Sequence, residues 1–384
     1  MKIVDRKLMT MKRISISIIF LALLLCTAKA QTTFSVMTLN VDGLPGKFLL
    51  FDVNKDGPLS AGSERISQYI AAKDCDIVSM QECFNYRWEI WSRLFANYEH
   101  DEWTGGLDNE THQLDYFHLQ NERFPCDGLN SAWKKEVKST AYERVAHKQN
   151  FGKFSHEFDD IITKGFRRHE FTLADGTEIV VYNTHFDASS ERDELLGNDV
   201  KDREARHAQW QQLREHVMAH LDSRPVILTG DFNSYYHRDD IMTAFIQPIQ
   251  ATGRATVSDV WIEKCRGGVY PQIGDEKDAD EVLDKILYVN PVGGMAVKPV
   301  SVTLDVAGYQ HDNKPMGDHF PLIATFTVDK DKTTGIENGQ WSMVNGQSES
   351  WYDLQGRRIT PINSDLSPLK KGLYIQNGHK IIAK

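Results

Sequence analysis

The tightest constraint on this chain is a repeated local pattern: short apolar runs that each stop on a carboxylate, an amide or an imidazole. Phe34–Leu39 alternates as a strand and stops at Asn40, and Ile77–Met80 stops at Gln81-Glu82. Glu178–Asn183 runs into Thr184-His185, and Pro225–Thr229 runs into Gly230-Asp231-Phe232-Asn233. Glu281–Val289, which carries Asp284, and Phe320–Val328, which begins just after Asp318-His319, read as two more strands. Strands of a packed sheet end on a common edge, so side chains just past several ends converge on one pocket. One such end is an ordinary turn; the set together points to a site.

Helical spacing fills the intervals, over Ser63–Ala72 with Ser63 as the cap and over a long charged stretch, Asp199–Leu221. Strand and helix patterns alternate without an internal repeat, which predicts one large α/β domain over residues 31–328. The chain has 384 residues, 41% of them hydrophobic, enough for a substantial core.

The two ends have a different texture. Lys12-Arg13, the apolar run Ile14–Leu25 and Ala28-Lys29-Ala30 have the layout of a secretory signal over residues 1–30, with Met11 an equally good start. The run is shorter than the roughly 20 residues that a membrane span needs. Leu25 before Cys26 argues against a lipoprotein cleavage box. The pattern predicts export, to the extracellular space or the outer-membrane surface, with the periplasm left open. Residues 1–30 hold six of the 44 basic residues and one of the 54 acidic ones, so the remainder carries −15 rather than −10. That excludes a passive basic coat for nucleic acid. Four Cys remain, Cys75, Cys83, Cys126 and Cys265; buried thiols and one disulfide are both open, and no spacing suggests zinc. Residues 329–340 read as a polar linker. Residues 341–384 read as a small β-module with strands at Trp351–Leu354, Arg357–Ile359, Leu373–Gln376 and Lys380–Ala383.

The residues available to one site are Asn40, Glu82, His185, Asp231, Asn233, Asp284, Asp318 and His319. A hard divalent cation such as Mg²⁺ takes one or two carboxylates and an amide oxygen, and Glu82 with Asn40 supply them. Phosphoester cleavage needs an activated water, a base, and donors facing the phosphoryl oxygens; the two histidines beside these acids supply them. No Gly-x-Ser-x-Gly elbow is present, which disfavours a serine hydrolase.

The ordered set Leu39-Asn40, Gln81-Glu82, Asn183-Thr184-His185, Gly230-Asp231-Phe232-Asn233, Leu283-Asp284-Lys285-Ile286 and Gly317-Asp318-His319-Phe320-Pro321 resembles the endonuclease/exonuclease/phosphatase superfamily, over about Phe34 to Val328. The resemblance implies a four-layer α/β sandwich: two mostly antiparallel sheets face to face, with helices outside and the active site at one edge. It implies Glu82 as the principal Mg²⁺ ligand with Asn40 beside it, Mn²⁺ or Ca²⁺ being alternative ions. His319 would be the general base or the electrostatic partner of the phosphate, oriented by Asp318. Asp231 would position or activate the attacking water, and Asn233 and His185 would hydrogen-bond the phosphoryl oxygens. Asp284 matches an acidic position that the metal set also includes. The family's last motif usually begins with Ser, where this chain has Gly317.

Leu39-Asn40-Val41-Asp42-Gly43-Leu44-Pro45 and Tyr182-Asn183-Thr184-His185-Phe186-Asp187-Ala188 look like the neutral sphingomyelinase branch. That implies a phospholipid substrate and contact with a membrane surface. An extracellular nuclease or a sugar- or inositol-phosphate phosphatase is the alternative enzyme, and a non-catalytic surface-binding protein the alternative of another class. Arg167-Arg168 and Lys134-Lys135 read as solvated basic pairs, and Asp52–Gly57 as a polar turn that imitates a calcium loop. Trp103, Tyr116, Phe117, Phe124 and Trp133 mark an aromatic insertion, either core or substrate wall. Tyr352–Arg357 and Lys371–Ile375 look like the C-terminal sorting domains of Bacteroidetes type IX secretion.

Overall fold

The computed structural model describes residues 32–48, 51–102, 126–151, 159, 162, 164–275 and 281–330, with four short strands between 351 and 383. The expected signal segment, most of the linker, and Trp103, Tyr116, Phe117 and Phe124 lie outside the described residues. The chain divides into two compact units between Thr333 and Thr334.

The larger unit builds twelve principal strands: β1 Thr32–Asn40, β2 Ile77–Gln81, β3 Tyr98–His100, β4 Asn130–Lys134, β5 Lys138–Ala146, β6 Gly165–Thr172, β7 Glu178–His185, β8 Val226–Asp231, β9 Ala255–Asp259, β10 Asp284–Pro291, β11 Ala296–Leu304 and β12 Leu322–Asp329. They form two six-stranded sheets in the orders β11-β12-β1-β2-β4-β3 and β9-β10-β8-β7-β6-β5. Each sheet is antiparallel except at one central pair, β1 with β2 and β8 with β7. The main helices are α1 Leu59–Lys73, α2 Arg87–Trp91, α3 Glu191–Leu196 and α4 Val200–Ala219.

Burial explains the layering. β12 alternates, with Leu322, Ala324, Phe326 and Val328 buried and the residues between them partly exposed. These four pack with Phe34, Val36, Ile179, Val181, Ile227 and Ile286 into an apolar layer between the sheets. β2 and β8 are buried along their whole length, because helices cover their outer faces. On one side Ile66 and Ile70 of α1 and Ile90 and Trp91 of α2 meet Met37, Leu39 and Met80. On the other, Trp210, Leu213 and Val217 of α4 meet Val180, Val226, Leu228 and Leu287. The result is the expected four-layer α/β sandwich.

Several local readings change. Ser63 does not cap its helix: α1 begins four residues earlier, and Ser63 is buried inside it. Its C-terminus is closed by Asp74 in the left-handed region. Trp133 is core, packed on His169 and Phe171. Arg167 is no solvated cation. It is fully buried, 3.0 Å from Asp101 and 2.9 Å from Asp127, and Arg168 is buried against Glu170 at 2.6 Å. Lys134 pairs with Asp74 and Asp76, and Lys135 donates to the Phe95 and Ala96 carbonyls. Cys75, Cys83, Cys126 and Cys265 are all free thiols. The turn over Asp52–Gly57 directs the Asn54 amide to Asp42. Among the described residues no helix is long and apolar enough to cross a membrane.

The smaller unit is a four-stranded antiparallel sheet in the order Arg358–Ile359, Trp351–Tyr352, Gly372–Gln376, His379–Ala383, at the segments the sequence marks as strands.

Arg167→Met is expected to destabilise the larger unit by about 3–5 kcal/mol, because it takes a cation from two buried carboxylates and leaves Asp101 to His169 and Asp127 to Arg144. Urea unfolding checks it; a change under about 0.5 kcal/mol would contradict the buried triad.

Candidate active site

The register of the second sheet sets the first row of site residues. Asp231 at the end of β8 lies directly opposite His185 of β7 on one side and Asp284 of β10 on the other. In the first sheet Asn40 at the end of β1 lies opposite Gln81, so Glu82 follows immediately. Asp42, Glu82 and Asn233 each take a positive φ, 49°, 53° and 47°, just beyond β1, β2 and β8. That backbone, costly for residues other than glycine, turns their side chains back over the strand ends. Gly230 is required for a different reason: a Cβ there would lie 2.1 Å from the Thr184 carbonyl oxygen.

Asp231 is the hub. Its Oδ2 accepts from Asn40 Nδ2 at 3.1 Å and its Oδ1 from the Asn233 backbone N–H at 3.0 Å. His185 Nε2 and His319 Nε2 stand 3.5 and 3.6 Å from Oδ2. Burial alone would raise its pKa, but His319, His185 and these hydrogen bonds hold the carboxyl below its ordinary value. Burial pushes His185 well below the usual imidazole range, with Lys164 adding to the effect, so its ring is neutral.

His319 takes the opposite charge. Burial works against the imidazolium, yet Asp284 and then Asp231 hold its pKa well above the ordinary value. The sequence pairs His319 with its neighbour Asp318; the structure pairs it with Asp284, whose Oδ2 lies 2.7 Å from His319 Nδ1. Asp318 instead raises the pKa values of Asp42 and Glu82, behind the larger effect of their burial. Adjacent side chains of a non-helical segment leave in different directions, whereas Asp284 is carried in from the other sheet.

Asn40, expected beside the metal, is held by hydrogen bonds to its neighbours. Its Oδ1 accepts the Asp42 backbone N–H at 3.0 Å, so the face turned to the site is the NH₂ group, 2.9 Å from Glu82 Oε1. Asn40 braces two carboxylates. Asn233 donates its amide to the Phe186 carbonyl at 3.0 Å and keeps one amide hydrogen for another partner.

The remaining carboxylates are crowded. Burial and then Asp318 push Asp42 up to about 7 and Glu82 up to about 8. Asp284 Oδ1 is buried without a hydrogen-bond partner. An orphaned buried carboxylate oxygen beside like charges fits a hard dication, which takes oxygen ligands and offsets their repulsion. Glu82, Asp231 and Asp284 are the oxygen donors available to it, and Asp231, Asp284 and His319 present donor atoms within 4.8 Å of one another.

Sequence reading missed four neighbours. Lys164 is buried, ion-paired with Asp159 at 2.5 Å and donating to the Phe186 carbonyl at 3.0 Å. His147 is buried against Phe186, beside the His185 backbone and the Gln212 side chain. Asp42 was visible only as part of a motif. Tyr309 is fully buried with an unpartnered hydroxyl, and that hydroxyl lies 3.4 Å from where Gly317 would carry a Cβ. The space left by the absent serine therefore adjoins a tyrosine hydroxyl.

A double-sheet sandwich with acids and imidazoles gathered at its strand ends holds the groups that phosphoester chemistry draws on. The chain belongs to the Endonuclease/Exonuclease/phosphatase family, whose pattern matches residues 37–288. Sphingomyelinases of Mycobacterium bovis and Mycobacterium tuberculosis are each 27% identical to it over 183 residues, which cover 44% of this chain and 32% of theirs. The chain thus spans about a third of the length of these curated relatives. A crystal structure of humanized D. rerio TDP2 shares the fold at 17% identity and a TM-score of 0.50, over 77% of this chain and 98% of that one.

His147 gives a pH test. Burial lowers its pKa from 6.5 to about 3, so between these values the unfolded chain binds a proton that the folded chain refuses. Stability from this group is therefore complete above pH 6.5 and lost as pH falls toward 3. His147→Leu is expected to flatten the acid side of the stability profile by up to about 1.4 kcal/mol per pH unit, measured by urea unfolding from pH 7 to pH 4. Parallel profiles for the two proteins would show that His147 is not buried in its neutral form.

Proposed function

We propose that the chain is an exported, Mg²⁺-dependent phosphodiesterase that hydrolyses sphingomyelin or a related phospholipid with an activated water. The observation that carries the hydrolytic part is the Asp231 carboxylate, buried between a neutral and a charged imidazole at 3.5 and 3.6 Å. The likeness to mycobacterial sphingomyelinases supports the substrate class. So does the pairing of Arg167, Arg168 and Lys134 with acids of the fold, which leaves them unavailable to a nucleic-acid backbone.

Each side chain then has a role. Asp231 accepts a proton from the attacking water, whose oxygen forms the new bond to phosphorus. The bond to the leaving alkoxide breaks, and the His319 imidazolium, held by Asp284, faces the developing charge and returns a proton to that oxygen. Neutral His185 and the remaining Asn233 amide hydrogen bond the phosphoryl oxygens. Glu82 and Asp284 would hold Mg²⁺, which when bound supplies Lewis-acid stabilisation of the phosphoryl group. Residues 1–30 would direct export and be removed, residues 31–328 carry the activity, and 329–340 link it to a sorting module over 341–384.

Full-length protein with Mg²⁺, assayed against sphingomyelin, phosphatidylcholine, plasmid DNA and inositol phosphates, tests this. Release of phosphocholine from sphingomyelin is expected, abolished by chelation and restored by Mg²⁺. His319→Ala is expected to lower kcat by about 10²- to 10⁴-fold, and Glu82→Gln to raise the Mg²⁺ concentration needed for half-maximal rate. Turnover of DNA alone would overturn the lipid assignment, and turnover of nothing would return the chain to the binding proteins.

A further inference from the structure

On the outer face of the second sheet, edge strand β5 meets the C-terminal end of α4. Glu143 of β5 stands opposite Arg168 of β6, and Arg168 opposite Tyr182 of β7, so the three side chains share one face. His216 and His220 are one helical turn apart at the end of α4, their rings stacked at 4.2 Å.

The hydrogen bonds settle the tautomer of His220. His220 Nδ1 lies 2.9 Å from the His216 carbonyl oxygen, and a carbonyl only accepts, so Nδ1 carries the proton and Nε2 the lone pair. His216 Nδ1 lies 3.0 Å from the Tyr182 hydroxyl, which can donate or accept, so a dication entering at Nε2 displaces any proton held there. That Nε2 is 3.3 Å from Glu143 Oε2, and His220 Nε2 is 4.0 Å from the same oxygen. All three donor atoms lie within 4.8 Å of one another.

We propose that Glu143, His216 and His220 form a second metal site, for a zinc-class transition-metal dication, that staples edge strand β5 to the end of α4. It shares no residue with the active site. A tetrahedral ion bound at roughly 2.0–2.1 Å sets neighbouring donors roughly 3.3–3.5 Å apart. The His216–Glu143 separation already matches, and the other two donors close by side-chain rotation alone. Glu143 and His220 have that freedom, being 43% and 41% exposed, whereas the 13%-exposed His216 is fixed by Tyr182. Tyr182 and the His216 carbonyl orient the rings from behind, as the second nitrogen of a metal-binding histidine usually requires. Water completes the coordination. Two imidazoles and one carboxylate suit Zn²⁺, Co²⁺, Ni²⁺ or Cu²⁺ and not Mg²⁺, which prefers an octahedron of oxygens. The neighbouring Arg168 charge is offset by Glu170, which also pairs with Arg224 at 2.6 Å.

The test is calorimetric titration of chelator-treated full-length protein with Zn²⁺ in excess Mg²⁺, repeated with Co²⁺ while its visible absorption is followed. Wild type, His220→Ala and Glu143→Gln are compared, with circular dichroism to establish that each is folded. Both variants are expected to lose at least tenfold in Zn²⁺ affinity and the strong absorption of four-coordinate Co²⁺, and to keep the Mg²⁺-supported phosphoesterase rate. Equal Zn²⁺ affinity and stoichiometry in all three proteins would overturn the site. So would Zn²⁺ binding that Asp231→Asn abolishes and His220→Ala leaves intact, since the ion would then sit in the active centre.

Discussion

Two sheets pressed face to face need an apolar interface, and most of this one is apolar; at the end where the site lies it is polar, and every strand there is held by hydrogen bonds across the gap. Gln81 Nε2 donates to Asn183 Oδ1 at 2.7 Å, Ser79 Oγ and Thr229 Oγ1 lie 2.7 Å apart, and Asn40 donates to Asp231 at 3.1 Å. His319 with Asp284 makes a fourth crossing. A buried polar group without a partner costs about 1–3 kcal/mol, so sliding one sheet by a residue would forfeit several such bonds together. The seam therefore fixes the register of the two sheets as well as their contact. The active site is the solvent-facing end of this seam, and its geometry is inherited from it.

The same seam gathers more negative charge than a protein interior tolerates. Asp42, Glu82 and Asp284 are pushed above the ordinary carboxylate range, chiefly by burial and with Asp318 adding its charge to each, whereas Asp231 is held below it. The reason is placement. Asp231 has an imidazole on either side, whereas Glu82 has Asp42 and Asp318 near it and only Asn40 and the more distant Lys164 in compensation. On the proposed mechanism this keeps Asp231 ionised as the proton acceptor and leaves the under-compensated acids to a cation. Neighbours, rather than residue type, set Asp231 apart from the other acids.

The strand-end pattern made much of this legible beforehand. Asn40, Glu82, His185, Asp231 and Asn233 stand where strands stop, and a stop is visible as an apolar run followed by a polar residue. The partner of His319 was not visible, because Asp284 lies 35 residues away and only the packing of two sheets brings it close. Arg167 was misread and Lys164 missed for a shared reason. A buried cation is recognised by the acids around it, and Asp101, Asp127 and Asp159 are set there by tertiary structure. His147 lies in a strand-to-loop segment without a motif. Ser63 shows the limit of cap signals: a serine at helical spacing serves equally inside a helix when a neighbouring helix covers it, and Ser63 faces the core.

Two groups of histidine and carboxylate, built from the same side-chain types, thus face opposite demands. At the seam Asp284 grips His319 through Nδ1 with a full carboxylate, which protonates the ring and removes it from metal chemistry in favour of charge stabilisation. At the end of α4 the Nδ1 atoms of His216 and His220 meet a neutral hydroxyl and a backbone carbonyl, weaker partners that fix orientation without imposing a charge. Their Nε2 atoms face Glu143. The atom behind the ring, rather than the ring itself, decides whether a buried histidine becomes an acid or a ligand. It follows that a count of histidines and acids in this fold carries little information until the partner of each Nδ1 is known.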